Sequence, residues 1–158
     1  MTKNNLIKLF ISIIICQMAG VIGSIFTTPK IGIWYVYLKK PFLSPPNWVF
    51  GPVWTLLFIL MGVSLWFVWI DQNKKYKKKA IIFFIIQLVL NILWSFLFFG
   101  IESPLLAFLG IICLWLAILF TILEFYKIYK IASYLLIPYI VWVSFASYLN
   151  LFIWIINK

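Results

Sequence analysis

Apolar residues in this chain run on for longer than a soluble fold tolerates. The stretch Ile81-Ile82-Phe83-Phe84-Ile85-Ile86 is apolar at every position. Several such runs reach the ~20 residues that carry a helix across the roughly 30 Å hydrocarbon core of a bilayer. Inside lipid every backbone N–H and C=O must be paired internally, which leaves helices or a closed barrel. Barrel strands alternate lipid-facing and lumen-facing residues, and these runs do not alternate. The expected fold class is an all-α integral membrane protein, a bundle of five transmembrane helices.

Breaks rich in Pro, Lys or polar residues divide the 158 residues into spans of about 6–27, 47–70, 80–99, 104–126 and 134–156. One domain, 1–158, is expected, since little chain remains for a soluble unit. The longest connection, 28–46, holds Trp34-Tyr35-Val36-Tyr37 and Lys39-Lys40-Pro41. Trp and Tyr beside lysine is the composition of a membrane interface, and a short helix over the membrane end fits it. Pro45 and Pro46 impose a restricted entry to the second span. Ala19 and Gly23 are small residues one helical turn apart, which allows another helix to approach closely.

Thirteen basic residues against three acids give a net charge of +10. In a chain this apolar, that charge reads as membrane-surface and topology signal, with the lipid bilayer as partner and no nucleic acid. Nine lysines (3, 8, 74, 75, 77, 78, 79, 127 and 130) flank the N-terminal side and four (30, 39, 40 and 158) the other. In a bacterial plasma membrane this asymmetry predicts a cytoplasmic N-terminus. Cys16 and Cys113 both lie in apolar runs and read as small hydrophobes without a disulfide. With no histidine and three acids, no metal site is expected.

Polar side chains inside spans tend to face the bundle interior or a cavity. Gln87, Asn91, Trp94 and Ser95 share one face of the third span by helical spacing. Pro138, Trp142, Phe145, Ala146, Leu149 and Asn150 form a stripe on the fifth, and Trp54 and Phe58 lie one turn apart on the second. Two readings compete. The amides could simply bond helix to helix, at about 0.6 to 2 kcal/mol each. Alternatively, indoles beside amides and small Ala146 could wall a ligand cavity, apolar with a few placed polar groups. Trp34, Trp48, Trp69 and Trp154 lie near span ends and read as interfacial anchors.

Three motifs carry a family resemblance. The segment Trp34-Tyr35-x-x-Leu38-x-Lys40-Pro41-x-x-x-Pro45-Pro46-x-Trp48-Val49-x-Gly51-Pro52-Val53-Trp54 resembles the first loop and second helix of the translocator protein family, also called tryptophan-rich sensory proteins or peripheral-type benzodiazepine receptors. Gln87-Leu88-x-Leu90-Asn91-x-x-Trp94-Ser95-x-x-Phe98-Phe99-Gly100 resembles its third helix, and Pro138-Tyr139-x-x-Trp142-x-x-Phe145-Ala146-x-x-Leu149-Asn150 its fifth. The resemblance implies a five-helix bundle with an internal ligand cavity opening toward the first loop. By motif position, Tyr35, Pro45, Pro46, Trp54, Phe58, Asn91, Trp94, Trp142, Phe145, Ala146 and Leu149 would line it, with Gly23 at its border. Phe58 stands where many members carry tyrosine, and Leu106 where some carry tryptophan.

The function so implied is a membrane receptor for tetrapyrroles (porphyrin or haem as ligand, with no cofactor), for sterol-like molecules and for isoquinoline or benzodiazepine drugs, with a role in stress or tetrapyrrole regulation. Light-dependent oxidative degradation of protoporphyrin is the enzymatic alternative, with Trp54 and Trp142 as candidate oxidisable indoles. General acid–base chemistry lacks its usual side chains here. Transport is a third alternative, although five spans without an internal repeat do not suit alternating access. A homodimer is left open, because some members dimerise through small residues that this third span largely lacks.

Overall fold

The computed structural model describes residues 3–72 and 74–158, the side chain of Lys74 excepted. The described residues form helices: α1 (Lys3–Ile31), a 3-10 turn (Tyr35–Tyr37), α2 (Asn47–Ile70), α3 (Lys74–Ser95) continuing into a π turn (Phe96–Gly100), α4 (Pro104–Tyr126), short α5 (Lys130–Tyr134) and α6 (Ile137–Ile156). No strand occurs among the described residues. Among the described residues, five spans are long and apolar enough to cross a membrane, the fifth being α5 and α6 together. Large apolar side chains cover the outside, among them Phe10, Ile14, Val89, Leu109 and Val141, each more than half exposed. In water that surface would aggregate; in lipid it is the required exterior. The protein is an integral membrane protein.

Local signals explain the helix ends. Ser103 caps α4 by accepting the Leu106 N–H at 3.4 Å, and Pro104 follows at the first helical position, where no N–H is missed. Pro138 is the second residue of α6, still within the first turn, and its missing donor leaves the break at Leu135–Leu136 between α5 and α6. α1 carries Pro29 in its last turns and runs on to Ile31, beyond the end expected near residue 27. α3 starts within the lysine cluster, whose long side chains are good helix formers.

Around the bundle the neighbours run α2, α1, α3, α4 and the α5–α6 span. α2 meets α5 at the lysine-rich end, where the buried Ser64 hydroxyl donates to the Ala132 carbonyl at 2.6 Å. α2 and α6 lack extensive backbone contact, and large rings fill their seam: Trp54 lies edge-on to Tyr139 and Phe50 to Trp142. α1 and α2 approach closely at Gly62, where a Cβ would stand 2.5 Å from the Ile13 Cα. The larger core cluster includes Cys16, Met61, Phe84, Ile118, Phe125 and Tyr139, and a smaller one of Tyr35, Phe98, Phe99, Ala107 and Ile153 lies at the loop end. Both cysteines are free thiols; Cys16 is buried, and Cys113 faces outward.

Glu124 is 5% exposed, yet it sits at this same end between Lys79 and Lys127, with its Oε1 2.9 Å from each ammonium. A buried carboxylate survives only when paired, so this triad ties α3 to α4. At the opposite end, Lys30 meets Glu102 at 2.6 Å and joins α1 to the α3–α4 connection. Glu102 has φ 57°, a left-handed conformation that costs a residue with a Cβ about 1 kcal/mol.

Candidate functional site

Toward the loop end a cavity of about 500 Å³ opens between α1, α2, α3 and α6. Its walls are aromatic. Trp54 stacks on Phe58 with centroids 5.7 Å apart, and Trp94 stacks on Phe98 at 5.4 Å. The π turn brings in both Phe98 and Phe99. Its widened Ile101 N–H to Phe96 C=O bond, 2.8 Å, inserts one residue into the helical register and turns two consecutive phenylalanines inward.

Polar groups are few and placed by bonds between helices. The Asn91 amide, on the cavity wall, donates to the buried Tyr139 hydroxyl behind it at 3.0 Å. The Trp94 indole donates to Asn150 Oδ1 at 3.0 Å, and the Asn150 amide donates to the Pro104 carbonyl at 2.7 Å. Ser95 lies against Gly23, where a Cβ would meet the serine oxygen at 3.0 Å, so glycine there lets α1 close on α3. None of the lining residues carries a formal charge.

Over the loop end lies the connection from α1 to α2. Tyr35, 7% exposed, packs on Phe98 and Phe99, with Lys40 4.2 Å above its ring. Burial pushes the Tyr35 phenol above its ordinary value, so it stays a neutral hydroxyl. Asn157 clasps this loop to the end of α6. It accepts from the Lys39 N–H and donates to the Lys39 carbonyl, both at 2.9 Å. The Lys30–Glu102 pair flanks the same end.

Of the residues expected at the site, Gly23, Tyr35, Trp54, Phe58, Asn91, Trp94, Ala146 and Leu149 line the cavity. Trp142 and Phe145 do not. They line a separate apolar groove on the outer flank of the α2–α6 seam, with Val53, Leu57 and Pro138. Sharing a helical stripe with Ala146 and Leu149 was not enough to bring them in, because the Trp142 ring turns into the seam against Phe50 and Phe145. Pro45 and Pro46 are also outside the lining. Their part is local, Pro46 starting α2 by accepting the Val49 N–H at 3.0 Å. Leu106 is exposed and away from the cavity. Gln87, on the same face as Asn91, is buried outside it with neither amide atom bonded.

Sequence reasoning passed over Gln17, Ser24, Thr28 and Thr55, which line the cavity from α1 and α2. The signal was present: hydroxyls and an amide recur along otherwise apolar spans. Trp48, read as an interfacial anchor, also lines the cavity mouth, 74% exposed. The opening is not straight through the loop end. It lies on the flank between α1 and α2, next to the loop's two roots.

The family model for TspO/MBR proteins matches residues 12–155. The chain belongs to the TspO/MBR family. It is 44% identical over 153 residues to the tryptophan-rich protein TspO of Archaeoglobus fulgidus, covering 97% of this chain and 99% of that one. It is 34% identical to the CrtK protein of Rhodobacter capsulatus, over 90% of this chain and 88% of the other. The human translocator protein is 33% identical over 136 residues, 84% of this chain and 80% of its own. This TspO/MBR protein therefore shares its framework with prokaryotic and animal membrane proteins alike, and a membrane receptor role follows from that kinship.

Proposed function

We propose that this protein binds tetrapyrroles, porphyrin or haem, and other flat apolar ligands in the cavity between α1, α2, α3 and α6. One observation carries the reading. Two stacked aromatic pairs, Trp54–Phe58 and Trp94–Phe98, wall a single uncharged hollow. Flat aromatic faces favour offset or edge contacts with a conjugated macrocycle. The uncharged lining suits the ring, while Lys39 and Lys40 on the adjoining loop suit propionates left outside. Titration of protoporphyrin into the purified protein, read by tryptophan quenching, tests it. Trp54→Ala and Trp94→Ala should each weaken binding by roughly tenfold, about 1.4 kcal/mol. Unchanged affinity in both would defeat this site.

Photo-oxidative degradation of a bound porphyrin is the second reading, and the place of Trp54 on the cavity wall favours it. A light-absorbing ligand, oxygen and that oxidisable indole would be the reactants. Porphyrin absorbance lost under light with the wild type, and retained with Trp54→Phe, would separate degradation from binding. The lysine asymmetry supports a plasma membrane orientation with the N-terminus cytoplasmic and the loop outside.

A further inference from the structure

The hydrogen bonds and the glycine approach that join the two helices flanking the cavity mouth lie on the lysine-rich side of that mouth or at its rim. α1 and α2 meet backbone to backbone at Gly62 and Ile13, and a single strap crosses further on, the Gln17 amide donating to the Thr55 carbonyl at 3.1 Å. Phe58 fills the space between, its ring 2.6 Å from where a Gly20 Cβ would stand. From the strap toward the loop end, the cavity comes to the surface. Every exposed residue of its lining belongs to α1 or α2: Val21, Ser24 and Thr28 on one side face Trp48, Gly51 and Thr55 on the other, beside Asn47. α3, the π turn and α6 contribute only buried or half-buried walls.

The loop end, in contrast, is covered. Tyr35 is packed over the phenylalanines, the Lys39 backbone is held at both of its polar groups by Asn157, and Lys30 is paired with Glu102. Both helices at the slot are membrane-spanning, so the slot faces hydrocarbon and its outer interface rather than bulk water. Two of its hydroxyls are already committed: Ser24 donates to the Val21 carbonyl at 2.7 Å and Thr55 to the Gly51 carbonyl at 2.9 Å. A ligand sliding past them loses no hydrogen bond and meets no charge.

We infer that the ligand enters and leaves sideways from the bilayer, through the slot between α1 and α2, while the loop stays shut. The inference rests on the tetrapyrrole reading of the cavity, and it narrows the ligand class. The guest is membrane-dissolved, with a flat uncharged part that leads into the uncharged hollow. Its ionised groups trail at the interfacial rim beside Trp48, because an unpaired charge among these walls would have no partner to offset its desolvation.

The test uses the full chain in phosphatidylcholine vesicles and protoporphyrin added through the bilayer, with stopped-flow tryptophan quenching. Ser24→Trp places an indole in the slot at a lipid-facing position. The lid is locked by a disulfide in Lys39→Cys/Asn157→Cys, on a Cys113→Ser background. The expected result is association slowed about tenfold or more in Ser24→Trp, with dissociation slowed in step, and wild-type rates in the locked lid. Wild-type rates in Ser24→Trp, or loss of exchange in the locked lid, would overturn the inference. A second arm needs no tetrapyrrole. A Ser95→Cys thiol on the Cys113→Ser background should react with a bilayer-soluble uncharged maleimide, and Ser24→Trp should slow that reaction. If the wild type fails to bind protoporphyrin, the functional reading fails and this labelling alone decides the route; equal labelling with and without Ser24→Trp would sink it.

Discussion

Trp94 and Asn150 meet across the cavity wall, the indole N–H donating to the asparagine Oδ1 at 3.0 Å. The same asparagine donates to the Pro104 carbonyl, so one side chain ties α3, α6 and the start of α4. Asn150→Leu leaves a donor and a carbonyl without this partner, each costing about 1–3 kcal/mol where water cannot substitute. Trp94→Phe removes the donor together with its need. Thermal unfolding in mild detergent should therefore show a larger loss for Asn150→Leu than for Trp94→Phe, and the reverse order would refute this account of the relay.

Gly62 and Gly51 lie on the same helix in opposite situations. A Cβ at Gly62 would meet the Ile13 backbone at 2.5 Å, whereas at Gly51 nothing lies within 4 Å. Gly62→Ala must push α1 away from α2, an overpacking cost of about 1–3 kcal/mol. Gly51→Ala gains helix propensity of up to about 1 kcal/mol. Melting temperatures of the two variants should move in opposite directions.

Gly20→Ala acts on the cavity through a neighbour. The new methyl displaces the Phe58 ring, whose Cε2 lies 2.6 Å from that position, and the ring borders the hollow. Affinity for a flat ligand should fall roughly tenfold. Adding Phe58→Leu should restore part of it, since neighbouring substitutions couple. Additive losses in the double mutant would contradict the mechanism.

The Glu124 triad should be asymmetric to mutation. Removing both Lys79 and Lys127 strands a carboxylate that is 5% exposed, at a cost of about 3 kcal/mol. Glu124→Gln leaves two largely exposed ammonium groups that water can solvate, and costs less. Chemical denaturation of the three proteins would reveal the order.

Asn157→Ala releases the Lys39 backbone from the end of α6. Hydrogen exchange across residues 35–40 should accelerate, while that of α3 and α4 stays as it was. Uniform acceleration would mean that Asn157 stabilises the whole bundle rather than the loop.

Much of the cavity lining was legible in the sequence. Asn91, Trp94 and Ser95 recur at helical spacing in an apolar span, and in lipid a polar residue has few places to go but inward. Where the reading failed, it failed on rotation and depth. Trp142 shares a stripe with Ala146, but the α2–α6 seam offered its ring a groove away from the hollow. Pro45 and Pro46, expected at the lining, stand outside it at the start of α2. The slot was invisible for a different reason: Gly62 and Ile13 are remote in sequence, and only their contact shows that α1 and α2 close at one end.

By itself the amino-acid order determined the solvent, the five spans, the aromatic and amide residues available to a cavity, and the family. Those follow from local properties: run length, helical period and motif spacing. Tertiary structure decided which side of the fifth span faces the hollow, how the π turn brings two phenylalanines inward, and where the hollow opens. These depend on how far apart the helix axes stand at each level, and that distance is set by contacts between residues distant in the chain.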